Sequence, residues 1–239
     1  MKFAWLSEPP FCFREAGGVV RGCDVELAEL VAGRLGLGFA PVEASFAELL
    51  PGLAGGRWQM TTGLFVTEDR QKLALFSRPI WALVDGLLVR RGNPLGLSGY
   101  ASVAGAGAVL AVIRDQVQHR SALDLGVAEG RILVFGTYAE AAAAVASGKA
   151  DAYASVWRAH AGFLTQNPEA ALEAVEAPVG EAAPAFGAFA FALGEDALCD
   201  AVNGALAGYL GSVEHRRMMA RHGFGTVEVD RLLGGPGAG

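Results

Sequence analysis

Apolar and polar residues alternate along this chain with two periods, one typical of β-strands and one typical of α-helices. Residues 2–6 predict a first strand, and the turn-rich stretch 11–23 predicts a hairpin. In residues 25–35, apolar side chains recur every three or four positions, which predicts a helix that Asp24 caps and Gly36 ends. The chain is therefore expected to begin with a strand, a hairpin and a helix.

The same alternation continues to Leu233, and we expect the glycine-rich tail beyond it to be disordered. Further strands or extended segments are predicted at residues 39–42, 58–64, 80–89, 107–113, 132–135, 150–156 and 184–193. Further helices are predicted at residues 46–53, 117–125, 138–146, 157–164, 197–210 and 213–222. These elements form two α/β sets joined by the extended segments 80–89 and 184–193, so the predicted fold class is α/β.

The high content of apolar residues could indicate a membrane protein, but the apolar stretches are too short to span a bilayer. Hydrophobic residues make up 52% of the 239 residues, charged residues 18%, and the mean hydropathy is +0.34. These values exclude intrinsic disorder. The longest uninterrupted apolar stretches, 103–113 and 182–194, are shorter than the roughly 20 residues that span a bilayer. We therefore expect a soluble protein with large apolar cores, and we interpret 103–113 as a buried strand with its approach.

Charge and motifs exclude several other classes of function. A net charge of −6 argues against a nucleic-acid partner. The chain has no G-x-S-x-G, H-E-x-x-H or G-x-G-x-x-G motif, so we predict no catalytic residues, no metal site and no cofactor. The cysteines and histidines lack metal-ligand spacing, and the histidines are expected at the surface. These residues are Cys12, Cys23, Cys199, His119, His160, His215 and His222.

One short motif is suited to holding an anion. Thr67 is a good helix cap, two acidic residues follow it, and Arg70 then lies in the first turn of the predicted helix. A guanidinium beside backbone N–H groups makes a receptor for a carboxylate. The motif predicts a carboxylate site at Arg70.

Segments in a fixed order along nearly the whole chain give this motif its context. They are Pro10-Phe11, Gly22-Cys23-Asp24-Val25-Glu26-Leu27-Ala28, Phe46 with Leu49-Leu50-Pro51 and Leu53, Gly56-Arg57-Trp58, Thr67-Glu68-Asp69-Arg70, Phe76-Ser77 with Pro79, Gly148-Lys149-Ala150-Asp151-Ala152 and Tyr209-Leu210-Gly211-Ser212. This ordered set resembles the extracytoplasmic solute-binding proteins of ABC importers, in the polar-amino-acid branch (family 3) with the type II periplasmic-binding-protein fold.

The resemblance implies two α/β lobes, each a mixed sheet flanked by helices, joined by two hinge crossings. Residues 1–86 and 187–239 would form lobe 1, and residues 87–186 would form lobe 2. A small solute would be captured between the lobes and delivered to the membrane permease of an ABC importer. The resemblance also implies a monomer outside the cytoplasm, its signal peptide removed, with no enzymatic activity.

The resemblance assigns roles to five residues of the first lobe. Arg70 corresponds to the arginine that grips the carboxylate of the ligand, and Phe46 corresponds to a side chain that packs on the ligand. Gly63, Leu64 and Phe65 correspond to the strand edge that meets its polar end.

The departures from the family pattern predict an unusual ligand. Phe65 stands where a serine or threonine is usual, and Val156 stands where an aspartate holds the ammonium of the ligand. Asp115-Gln116 replaces a glycine–threonine pair, and Glu8 replaces a covering aromatic residue. With Trp5, Phe46 and Phe65 as aromatic faces and Glu8 or Asp115 at a cationic end, we predict an ectoine-like or betaine-like zwitterion, or an amino acid held by a rearranged ammonium site.

Two alternatives stay open from the sequence. One is an enzyme of the same fold, similar to cyclohexadienyl dehydratases, for which an acidic proton donor would be expected in the second lobe; Val156-Trp157-Arg158 offers none. The other is the ligand-sensing domain of a receptor or kinase, which would be fused to a transmembrane helix.

Overall fold

A computed structural model describes residues 1–234, in which the chain divides into two compact units. The first unit contains Met1–Ala82 and the chain from Ala185 onward, and the second contains Leu83–Pro184. The chain thus leaves the first unit after Ala82 and re-enters it at Ala185. The lobe boundaries that the resemblance implies remain a prediction. No helix among residues 1–234 is both long and apolar enough to span a membrane. The expected disorder after Leu233 concerns residues that lie almost entirely outside the described part.

Strands and helices alternate through both units. The strands are β1 (Lys2–Trp5), β2 (Phe13–Arg14), β3 (Val20–Arg21), β4 (Ala40–Glu43), β5 (Met60–Thr61), β6 (Leu64–Phe65), β7 (Ala74–Phe76), β8 (Trp81–Leu83), β9 (Asp85–Arg90), β10 (Leu110–Ile113), β11 (Ile132–Phe135), β12 (Ala152–Val156), β13 (Leu172–Glu176), β14 (Ala185–Ala188) and β15 (Ala190–Ala192). The helices are α1 (Cys23–Arg34), α2 (Leu49–Ala54), α3 (Glu68–Gln71), α4 (Tyr100–Ala106), α5 (Val117–Asp124), α6 (Tyr138–Ala146), α7 (Trp157–Gln166), α8 (Asp196–Ala207), α9 (Val213–Arg221) and α10 (Thr226–Leu233), with 3₁₀ turns at Phe46–Glu48 and Glu129–Arg131.

Several small sheets build the first unit. Strand β1 lies between β4 and β5 in a parallel sheet. Strand β14 lies between β6 and β8, and Gly187 on β14 opposes Phe65 on β6. Strands β7 and β15 form an antiparallel pair, and β2 and β3 form the predicted hairpin. Leu49, Leu53 and Trp58 are buried among apolar side chains of these elements. Strand β6, which carries Phe65, is therefore held in the three-stranded sheet β6–β14–β8.

The second unit contains one mixed sheet of five strands, in the order β11–β10–β12–β9–β13. Strand β10 runs parallel to β11 and β12, whereas β9 runs antiparallel to β12 and β13. Thr137 caps the alanine-rich helix α6, and its hydroxyl accepts the N–H of Glu140. It packs against β9 and β10. Tyr100, Val103 and Leu110 lie in the buried core beside the sheet.

The start of α1 differs from the prediction. Gly22, not Asp24, is the residue before the helix, and Asp24 lies inside the first turn with its side chain buried. Gly22 has φ 129°, and a Cβ there would overlap the backbone of Phe11. Only glycine fits this position, so the helix starts earlier than a capping aspartate would place it.

Other differences concern elements with weak local signals. The predicted strand at 58–64 is two short strands, β5 and β6, and the extended segment 80–89 is interrupted between β8 and β9. Part of the stretch interpreted as a strand with its approach, residues 103–113, belongs to helix α4. Gly107, with φ 58°, directly follows this helix. Strand β13 and helix α10 were not predicted. The predictions for 132–135 and 138–146 are confirmed residue for residue.

Candidate ligand-binding site

Helix α3 positions Arg70 as the sequence predicts. Thr67 precedes the helix in an extended conformation, and its hydroxyl accepts the backbone N–H of Arg70 over 3.3 Å. Asp69 pairs with Lys72 over 2.7 Å on the exposed side of the turn. The cap thus fixes the backbone from which the Arg70 side chain extends.

Phe65 and Phe46 both contact the half-buried guanidinium of Arg70. Its Nη1 donates to the carbonyl oxygen of Phe65 over 2.9 Å. Its central carbon lies 5.3 Å from the centroid of the Phe46 ring, which is a cation–π distance. The structure therefore brings together three of the predicted site residues, Arg70, Phe46 and Phe65.

A carboxylate next to Phe46 fixes the turn that carries this ring. Glu48 accepts the backbone N–H of Ser45 over 2.9 Å and its hydroxyl over 2.8 Å. Arg57 reaches the other Glu48 oxygen over 3.1 Å. These bonds, led by the backbone N–H of Ser45, lower the pKa of Glu48 to about 2. The Glu48 carboxylate is therefore charged at neutral pH, where its hydrogen bonds hold the turn that carries Phe46.

The strand next to Arg70 is buried rather than open. Leu64 is 2% exposed and lies in the apolar core, and Phe65 is 8% exposed. The Phe65 ring meets the Trp81 ring edge to face, with centroids 5.3 Å apart. A Cβ on Gly63 would lie 2.6 Å from the Trp81 ring. The predicted contact strand is thus shaped by Trp81, a residue that is absent from the predicted site.

Asp24 is the second residue of this region that sequence reasoning missed. One oxygen of its buried carboxylate accepts the Thr62 hydroxyl over 2.6 Å and the Gly63 N–H over 2.8 Å, and the other accepts the Trp81 indole N–H over 3.1 Å. Burial raises the pKa of Asp24, against the effect of these hydrogen bonds. In the sequence, Asp24 stands among apolar residues where a helix begins. A helix-capping aspartate stands in the same pattern, so the sequence does not distinguish the two roles.

The other predicted residues of the first unit lie in β1 and the turn after it. The main chain of Glu8 closes a turn with Cys12, and its side chain is half-buried. Trp5 is fully buried, and the guanidinium of Arg14 lies 5.2 Å from its ring centroid. The indole nitrogen of Trp5 is buried without a hydrogen-bond partner among the described residues. Ligand contacts of Glu8 and Trp5 remain predictions.

Three predicted site residues belong to the second unit. Asp115 is exposed with φ 66°, and Gln116 precedes α5 with its side chain buried. The amide oxygen of Gln116 has no hydrogen-bond partner among residues 1–234. Val156 ends β12, is 7% exposed and pairs with Asp85 in the sheet. Ligand contacts of Asp115, Gln116 and Val156 also remain predictions. The amide oxygen of Gln116 could accept a hydrogen bond in such a contact.

The second unit contains a further buried carboxylate that was not predicted. Asp85 accepts the Tyr100 hydroxyl and the Gln118 amide N–H, each over 2.7 Å. Burial raises the pKa of its carboxyl group. Its available signal is that Asp85 is the one acidic residue in the apolar segment 80–89.

The expectation that the histidines lie at the surface is wrong for His160 and His215, which are both fully buried. The cysteines are also buried, and all are free thiols. No group of histidine, cysteine or acidic side chains suited to a metal ion occurs in the described part of the chain.

Residues 2–225 match the family described as bacterial extracellular solute-binding proteins, family 3. The match covers nearly the whole chain, so this protein belongs to that family. The resemblance stated from the sequence motifs is therefore confirmed.

Named relatives support the same assignment. The probable amino-acid ABC transporter periplasmic-binding protein y4tE of Sinorhizobium fredii is 29% identical over 228 residues, which cover 92% of this chain and 76% of that protein. The arginine-binding protein ArgT of Corynebacterium glutamicum is 30% identical over 241 residues, 94% of this chain and 74% of its own. Both are named as binding proteins.

Solved structures share the fold. EhuB in complex with hydroxyectoine matches with a TM-score of 0.88 and 26% identity, over 98% of this chain and 91% of that one. An ancestral arginine-binding protein bound to arginine matches with a TM-score of 0.82 and 23% identity, over 94% of this chain and 97% of that one. The predicted fold class, an α/β type II periplasmic-binding-protein fold, is confirmed.

Proposed function

We propose that this protein binds a small zwitterion whose carboxylate is held by Arg70. The observation that carries the proposal is the guanidinium itself, fixed between the carbonyl oxygen of Phe65 and the ring of Phe46. A guanidinium presents its N–H donors as a planar fork that matches the two oxygens of a carboxylate. A side chain held in this way loses little conformational entropy when it binds such a group.

The cationic end of the solute is assigned to a carboxylate and aromatic faces. Glu8 is the half-buried acid of the first unit in the predicted set, and Asp115 is the corresponding acid of the second unit. Phe46 and Phe65 supply aromatic faces, and each cation–π contact contributes roughly 0.5–2 kcal/mol. Gln116 and Val156 would contact the solute from the second unit. This arrangement suits an ectoine-like or betaine-like zwitterion, or an amino acid of the arginine type.

The named relatives support delivery to an ABC importer as the biological role, since y4tE is named as a periplasmic-binding protein of such a transporter. We propose that this protein acts outside the cytoplasm as a monomer and hands its solute to the permease. Binding without turnover is favoured over elimination chemistry because Val156 presents hydrocarbon where a proton donor would be needed.

Calorimetric titration with hydroxyectoine, glycine betaine and L-arginine tests the proposal. Arg70→Ala should remove a charge-assisted contact worth roughly 1.5–3 kcal/mol, which raises Kd about 10- to 150-fold. Arg34→Ala is the matched control because the Arg34 guanidinium also donates to a carbonyl oxygen, that of Ala205, and lies 5.4 Å from an aromatic centroid, that of Tyr209. Its Kd should equal that of the wild type.

Unchanged binding in Arg70→Ala would refute the carboxylate role. The cationic role of the acids is tested separately with Glu8→Gln and Asp115→Asn. At least one of them should weaken binding of a zwitterion, and equal affinity in both would remove these acids from the site.

A further inference from the structure

The buried Trp81 ring packs against two other aromatic rings of the first unit. Its centroid lies 5.3 Å from that of Phe65, at an interplanar angle of 79°, and 5.6 Å from that of Phe11, at 47°. The Phe65 contact is the edge-to-face arrangement that aromatic pairs favour. Trp81 therefore fixes one side of the Phe65 ring.

Two glycines make room for the indole. A Cβ on Gly63 would lie 2.6 Å from the Trp81 ring, and a Cβ on Gly187 would overlap the same ring. Gly63 directly precedes β6, and Gly187 is the residue of β14 that opposes Phe65. The backbone on both sides of Phe65 is therefore fitted to the indole.

One carboxylate ties the indole to the same strand. Asp24 accepts the Trp81 indole N–H on one oxygen and the Gly63 N–H on the other. Trp81 and the start of β6 consequently share a hydrogen-bonding partner that is itself buried in the first turn of α1. Because Arg70 donates to the carbonyl oxygen of Phe65, the position of this strand also sets the position of the guanidinium.

We propose that Trp81 is a positioning residue for ligand selection, which fixes the Phe65 ring and, through the Phe65 carbonyl, Arg70. The inference rests on the proposed function, in which Phe65 and Arg70 contact the solute. A fixed ring face favours a rigid cyclic zwitterion, because a flexible ligand can adjust to a displaced ring and a rigid one cannot. Loss of Trp81 should therefore cost more affinity for hydroxyectoine than for L-arginine.

The test is a double-mutant cycle on the full chain with Trp81→Phe and Phe65→Leu, measured by calorimetry with hydroxyectoine and L-arginine. Trp81→Phe alone should raise Kd for hydroxyectoine about tenfold and lower its selectivity over L-arginine. In the Phe65→Leu background, the same substitution should raise Kd for hydroxyectoine clearly less than in the wild type, because the ring is absent and only the route through the backbone carbonyl of residue 65 to Arg70 remains.

Trp58→Phe is the matched control. Trp58 is also buried in the first unit, fits against a glycine, Gly52, and donates its indole N–H to the carbonyl oxygen of Leu49. Its replacement should lower the melting temperature and leave selectivity unchanged. If Trp81→Phe likewise lowered the melting temperature and left selectivity unchanged, with the same loss of affinity in both Phe65 backgrounds, the role of Trp81 would be merely structural. That result would overturn the inference.

Failure of this inference can be distinguished from failure of the proposed function. If the wild type binds neither zwitterion, or binds one independently of Arg70, the proposed function fails and this inference fails with it. If binding depends on Arg70 but the Trp81→Phe and Phe65→Leu effects are additive, only the positioning role is rejected.

Discussion

The hydroxyl of Tyr138 lies 2.7 Å from Nδ1 of His160, and both side chains are buried in the second unit. Nε2 of His160 lies 3.3 Å from the carbonyl oxygen of Gly86. The consistent assignment is a neutral ring that donates from Nε2 to Gly86 and accepts the Tyr138 hydroxyl at Nδ1. Burial lowers the pKa of His160 to about 3.

This pair predicts a loss of stability in mild acid. In the unfolded chain, a histidine takes up a proton near pH 6.5, whereas folded His160 does so only near pH 3. The contribution of neutral His160 to stability is therefore complete above about pH 6.5. It is lost as the pH falls from about 6.5 to about 3. The free energy of unfolding should decrease by about 1.4 kcal/mol per pH unit for this one group.

Urea unfolding of the wild type and His160→Gln between pH 7 and pH 3 measures the effect. The glutamine retains a donor and an acceptor but does not titrate, so the stability difference between the two proteins should shrink with falling pH. His215→Gln is the comparison, because burial lowers the pKa of His215 to about 4 and its window closes earlier. A difference for His160→Gln that is constant with pH would contradict the neutral assignment.

The two buried carboxylates should respond differently to the same substitution. Asp24 accepts two N–H groups whose protons cannot turn away, from Gly63 and from the Trp81 indole. An asparagine there must point its own NH₂ at one of them, which leaves a donor unpaired at a cost of about 1–3 kcal/mol. Asp24→Asn should therefore lower the free energy of unfolding by about that amount.

Asp85→Asn is the control for that substitution. The partners of Asp85 are the Tyr100 hydroxyl, which can rotate to accept, and the Gln118 amide, which can turn over. The asparagine can then satisfy both, and the loss should be smaller than for Asp24→Asn. Urea unfolding at pH 7 measures both variants, and an equal or reversed order would count against this account of the two sites.

The Asp24 site also shows why sequence reasoning succeeds in one place and fails in another. The turn at Thr67 and Arg70 is predictable because its cap and its helix are neighbours in the chain. Asp24 resembles a cap because the residues that pair with it, Thr62 and Trp81, are 38 and 57 positions away. No local pattern contains such partners.

Burial of single polar residues is equally hard to predict. His160 is expected at the surface, but its partners Tyr138 and Gly86 lie on other elements of the second unit. Helix α4 escapes prediction because its glycine, alanine and valine residues show no polar face from which a helical period can be read. The family, by contrast, is identifiable because its motifs occur in order along the chain.

The thiols should be unreactive in the folded protein. Burial raises the pKa of Cys12 and Cys23 well above the ordinary value, and also raises that of Cys199. Only the thiolate reacts with a disulfide reagent, so little reaction is expected at pH 8. A colorimetric thiol assay should detect all three cysteines only after denaturation. Leu73→Cys, at a position 60% exposed, is the positive control and should add one fast thiol.

Gly187 should tolerate no side chain while Trp81 is present. A Cβ at Gly187 would overlap the Trp81 ring, so Gly187→Ala should lower the free energy of unfolding by about 1–3 kcal/mol, the usual cost of overpacking. The cause is the indole rather than backbone strain, because Gly187 does not have a positive φ. Adding Trp81→Leu to Gly187→Ala should therefore cost less than Trp81→Leu costs in the wild type.

Gly33→Ala provides the matched control for urea unfolding of these variants. Gly33 lies in α1, and a Cβ there would have no neighbouring atom within 4 Å, so alanine meets open space. Helix propensity predicts a gain of up to about 1 kcal/mol. If Gly187→Ala were as well tolerated as Gly33→Ala, or if Trp81→Leu cost the same in both backgrounds, the fit between Gly187 and the indole would not be the cause. The expected result is a positive coupling between residues 81 and 187 and none between residues 81 and 33.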